Sequence, residues 1–78
     1  MEKNAIITSR LKDLLDVLDA RAMVNIFVED KDGKQKSIAF IKVYELLSNP
    51  VLMPKYKNYV VVGFSCGLTT NILIKEEV

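Results

Sequence analysis

Histidine and tryptophan are absent from this 78-residue sequence, and cysteine occurs once, at Cys66. Without histidine there is no Ser-His or Cys-His nucleophile, and a single thiol removes nearly all zinc chemistry. The lone cysteine also excludes an internal disulfide, and with it a disulfide-stapled secreted scaffold. Charge of one sign is scarce as well: eleven basic and ten acidic side chains leave a net charge of +1. That balance provides no strongly basic face, the usual electrostatic footprint of a DNA- or RNA-binding domain. No apolar run approaches the roughly 20 residues of a membrane helix. The first residues, Met1-Glu-Lys-Asn-Ala-Ile-Ile7, lack the apolar core of a signal peptide. A soluble cytoplasmic protein with no membrane association is expected.

Half of the residues are hydrophobic, which is rich for so short a chain. A domain of this size buries only about 60% of its unfolded surface, so surplus apolar residues are expected to serve self-association or a partner. The length sets one domain, residues 1–78.

The most apolar stretch is Asn58-Tyr-Val-Val-Val-Gly-Phe-Ser65. Three valines between two aromatics predict a strand buried on both faces, at the middle of a sheet. Ahead of it, Met1–Ile7 reads as a lead-in, extended at Ala5-Ile6-Ile7. Thr8 or Ser9 offers a capping hydroxyl for a helix over Arg10–Asp19. Leu11, Leu14, Leu15 and Leu18 form its apolar stripe, with Arg10, Lys12, Asp13 and Asp16 on the solvated side. Met23–Glu29 reads as a strand with Val24, Ile26 and Val28 on one face, and Met23, Asn25, Phe27 and Glu29 on the other. Asp30-Lys-Asp-Gly33 supplies turn chemistry, and Lys34–Ile41 returns with Ile38 and Phe40 on one face, making a hairpin centred on Asp32-Gly33. Lys42–Ser48 is a short helix stopped by Asn49-Pro50, with Tyr44 at the edge of its apolar side. Val51–Lys57 is a connection with a second proline and much apolar content. Ser65-Cys-Gly67 turns the chain back into Thr69–Lys75, where Thr70, Ile72 and Ile74 share a face opposite Asn71 and Leu73; Lys75–Val78 frays. The resulting class is α+β, helix–hairpin–helix–hairpin (αββαββ): a four-stranded, mainly antiparallel sheet with two short helices packed on one face.

Each motif has a bland reading beside a sharper one. Asp30-Lys-Asp-Gly33 has a faint calcium-loop pattern, but the following Lys34-Gln-Lys-Ser-Ile-Ala-Phe40 has no carboxylate, so a hairpin turn is favoured and no metal is expected. Pro54-Lys-Tyr-Lys-Asn-Tyr59 interleaves bases with aromatics, as single-stranded nucleic-acid platforms do. The favoured reading is that Tyr56 or Tyr59 anchors the loop while Lys55 and Lys57 stay solvated. Lys31, Lys34 and Lys36 extend that patch if the hairpin tip lies near it. Gly63, inside a strand, marks a bulge or a close approach of another backbone. Cys66 has no activating neighbour in sequence, so it reads as a structural or incidental thiol.

Leu11-Lys-Asp-Leu-Leu-Asp-Val-Leu-Asp19, the strand ending in Glu29-Asp-Lys-Asp-Gly33, Val43-Tyr-Glu-Leu-Leu47 and Tyr56-Lys-Asn-Tyr-Val-Val-Val-Gly63 occur in this order. In that combination, over about Leu11–Ile74, the chain resembles a family of short uncharacterised proteins encoded by phages, prophages and other mobile elements of Gram-positive bacteria. The resemblance implies a bacterial host cytoplasm and brings no catalytic, cofactor or metal residues with it.

The first expectation for function is therefore a non-enzymatic, stoichiometric protein-binding protein, also forming a homodimer through a sheet edge or an apolar helix face. Its target would be a host or phage protein, including a defence component such as a CRISPR nuclease. The alternative is a nucleic-acid or small-nucleotide binding module. The candidate contact residues are Lys55, Tyr56, Lys57, Lys31, Lys34 and Tyr44, with no catalytic residue and no cofactor.

Overall fold

In the computed structural model, residues 9–76 are described. The expected lead-in and extended segment at Met1–Ile7, the cap at Thr8 and the last two residues of the fraying end lie outside them. Leucines at positions 11, 14, 15 and 18 produce α1 (Leu11–Val17), with Leu11 and Leu15 buried and Leu14 and Leu18 packed against the same core. Arg10 occupies the N-cap position of this helix. The Arg10 position carries extended backbone and no side-chain cap, and its carbonyl accepts the Leu14 N–H at 3.1 Å. Leu18 returns to extended backbone, and Asp19 then turns the chain. Its carboxylate accepts the Arg21 N–H at 2.9 Å and its carbonyl the Ala22 N–H at 3.0 Å.

Strands β1 (Met23–Glu29) and β2 (Gln35–Lys42) form the expected hairpin. Asp30 organises its turn: one carboxylate oxygen accepts the N–H groups of Asp32 and Lys34, both at 2.9 Å. Gly33 takes φ of 82°, a conformation in which a Cβ is strained. Ile38 is a bulge in β2: Ile26 pairs with Ala39 and Phe27 with Ser37. This one residue corrects the expected strand pattern. Ile38 packs toward the core while Phe40 sits across from Asn25 on the opposite face, 56% exposed.

The chain continues through α2 (Val43–Leu47) and α3 (Leu52–Tyr56). At α2 the Glu45 carboxylate reaches back to accept the Lys42 N–H at 3.1 Å. The expected connection over Val51–Lys57 is in fact α3, giving three short helices among the described residues where two were expected. Its proline is tolerated because Pro54 stands in the first turn, where a backbone N–H has no intrahelical partner. Asn49 supplies the missing acceptor, its Oδ1 receiving the N–H groups of Val51 at 2.9 Å and Leu52 at 2.8 Å. Strands β3 (Val60–Ser65) and β4 (Thr70–Lys75) make the second hairpin.

The sheet order is β2-β1-β4-β3. Both hairpins are antiparallel, and they join through a parallel pairing of β1 with β4. The fold is thus α+β with a four-stranded mixed sheet. The valine-rich strand is not its centre, as its composition suggested. β3 is an edge strand, with Val62 45% and Phe64 47% exposed, and β1 and β4 occupy the middle. All three helices lie on one face: Leu11, Leu15, Val43, Leu46 and Met53 meet Val24, Ile26, Ile72 and Ile74 in the core. No described helix is long and apolar enough to cross a membrane.

Candidate functional site

Because the helices take one face, the other face of the sheet is left without a covering element among the described residues. The strand registers give its layout. One row runs Phe40, Asn25, Asn71, Ser65; the next runs Ser37, Phe27, Leu73, Gly63; the third runs Gln35, Glu29, Lys75, Val60. The middle of this face is therefore apolar, Phe27 against Leu73, with Phe40 diagonal to it. Amides and hydroxyls surround it and bond to each other. Ser37 Oγ donates to Asn25 Oδ1 at 3.2 Å, and Asn71 Nδ2 to Ser65 Oγ at 3.5 Å. Glu29 and Lys75 set opposite charges side by side at one margin.

Gly63 creates the relief of this surface. It follows a bulge at Val62 in β3, and a Cβ added to it would lie 3.2 Å from the Leu73 Cβ. Its missing side chain leaves a shallow depression of about 220 Å³, lined by Phe27, Gly63, Phe64 and Leu73 with Gln35, Ser65 and Asn71 at the rim. Such a surface can seat an apolar side chain while the rim amides bond to polar groups around it.

The residues singled out from sequence do not converge. Tyr56 and Tyr59 meet edge to face, centroids 4.8 Å apart and planes at 75°, and both pack against the core. Lys55 Nζ lies 5.2 Å from the centre of the Tyr56 ring. Lys57 lines a groove of about 360 Å³ with Lys12, Leu47, Asn49 and Met53. Lys31 lines a different hollow, of about 290 Å³, with Asp30, Tyr59 and Lys75. Lys34 and Tyr44 line neither, and Tyr44 is about half exposed on α2. The lysine and tyrosine cluster is therefore a tyrosine pair that anchors α3 to β3, with solvated lysines around it.

Titration adds little. Lys12 is shifted above its ordinary value, first by its hydrogen bond to Asp16 at 2.9 Å and then by that carboxylate's charge. Among the described residues, no three histidine, cysteine, aspartate or glutamate side chains gather closely enough to hold a metal ion. Cys66 is free and exposed in the β3–β4 turn.

Sequence reasoning missed the open face because Phe27, Phe40, Leu73 and Gly63 come from four strands whose order no local pattern encodes. Alternation in β1 and β4 was the one available signal, since it set Phe27 and Leu73 on the side away from Ile26 and Ile72. Compared with protein-family models, with curated proteins and with solved structures, the chain matches none of them significantly.

Proposed function

We propose that this is a non-enzymatic binding protein that docks another protein chain on the open face of its sheet. One observation carries the reading: a sheet face, uncovered among the described residues, whose centre, Phe27, Leu73 and Phe40 around the Gly63 depression, is apolar and whose margin is polar. An apolar core within a polar rim is the usual anatomy of a protein interface. A second copy is one occupant of this face, and a host or phage protein of the kind implied by the phage resemblance is the other.

The test uses a photoactivatable cross-linker placed at Leu73, at the centre of the open face, and, as controls, at Val17 and Val51, which are exposed outside the sheet. Capture of the same partner, or of a second copy, from Leu73 alone supports the reading. Equal capture from all three positions sinks it. The nucleic-acid alternative gains ground only if an oligonucleotide binds in a salt-dependent way that substitution of Lys55 and Lys57 abolishes.

A further inference from the structure

The two edges of the sheet are not equivalent. β3 is partly met from outside, since Arg10 bridges Val60 and the Val61 N–H donates to the Ser9 carbonyl at 2.9 Å. β2 is different. It is the terminal strand, eight residues long and free of proline and glycine. No backbone group of residues 35–41 bonds outside the β1–β2 ladder among the described residues. Such an edge is a template for another strand.

Charge decides which strand. Lys34 and Lys36 stand at one end of β2 and Lys42 at the other, all exposed. None is in an ion pair among the described residues, where the bridge found is Lys12–Asp16. Of the two aspartates just before the first pair, Asp32 makes no ion pair with either lysine among the described residues, and Asp30 already uses a carboxylate oxygen to accept the backbone N–H groups of Asp32 and Lys34. A second copy is a poor match. Whether two β2 strands pair parallel or antiparallel, each basic end meets a basic end, and like charges facing across a ladder are destabilising.

We propose that the free edge of β2 accepts an extended segment of a partner protein that carries carboxylates near both ends and an apolar residue beside Phe40. The Ile38 bulge puts Lys36 on the helix-covered side, opposite Val28, and Lys42 on the open side, opposite Met23. The matching carboxylates therefore lie on opposite faces of the incoming strand, about five residues apart. This rests on the protein-binding reading above but uses a different surface, so the two can fail separately.

The probe is a fluorescent eight-residue peptide with glutamates five positions apart and valine or threonine between them. Its controls are the same peptide with lysine for glutamate and one interrupted by proline. Anisotropy should show binding of the acidic peptide that weakens with salt and falls at least tenfold in the Lys36→Glu, Lys42→Glu double variant. That variant should in turn prefer the basic peptide, and amide exchange should slow along β2. Binding indifferent to the double variant, equal for acidic and basic peptides, or protecting the open face instead of β2 would overturn the inference, as would no binding at low salt. No cross-linking at Leu73, which lies on the open face away from β2, while the peptide still protects β2 would sink the open-face reading and leave this one standing.

Discussion

Single residues set three local geometries that can be tested one at a time. A Cβ on Gly63 would crowd the Leu73 side chain at 3.2 Å, so Gly63→Val requires Leu73 to shift by a few tenths of an ångström or more. Overpacking of this kind costs about 1–3 kcal/mol, to be read as a lower urea midpoint with an unchanged slope; an unaltered midpoint would mean that Leu73 yields freely. Asn49 holds the start of α3 through two backbone N–H groups. Loss of such a cap in Asn49→Ala should remove about 0.5–2 kcal/mol, measured in the same way, whereas Asn49→Asp should retain most of it. Lys12 and Asp16 give a pH effect of known sign. The folded-state pKa of Lys12 is raised, so whatever the pair contributes is fully present below the ordinary lysine value and is lost as pH rises through the elevated one. Melting curves of the protein and of Lys12→Met should converge at strongly alkaline pH and differ least at high salt. Both side chains are exposed, so the difference is small throughout.

At the scale of elements, α1 is held by Leu11 and Leu15, each almost wholly buried. Leu15→Ala should cost about 2–5 kcal/mol, a large share of the total for a small domain, and a variant folding with undiminished stability would place that stripe outside the core. The element types were largely legible in the sequence. The leucine stripe, the Asp32-Gly33 turn, the alternation of Met23–Glu29 and that of Thr70–Lys75 each arise from local spacing, and each stands where it was expected. Three features escaped for separate physical reasons. A proline in Val51–Lys57 spoke against a helix, but in a first turn its missing N–H costs nothing. The run of valines in β3 promised a central strand, yet apolar content reports burial somewhere rather than a place in the strand order. The Ile38 bulge reverses the faces of β2, and no residue type announces it. The candidate site was hidden more deeply, because it exists only where four strands lie side by side.

For the whole molecule, the decisive contact is the parallel pairing of β1 and β4. It joins two hairpins whose centres carry the core residues Val24, Ile26, Ile72 and Ile74. Neither hairpin has a complete hydrophobic face alone, so urea unfolding followed by far-ultraviolet circular dichroism and by tyrosine fluorescence should give a single coincident transition. Two separated transitions would show that the hairpins fold independently. The pairing also links residues more than forty positions apart, Val24 with Thr70 among them. During synthesis on the ribosome, β1 and β2 therefore emerge long before the strand that shields the inner side of β1. Until Thr70–Lys75 is made, β1 shows bare backbone along one side and Ile26 lacks its neighbour Ile72. The nascent chain is exposed to aggregation over that interval, and a premature stop anywhere before Thr70 would leave it in that condition.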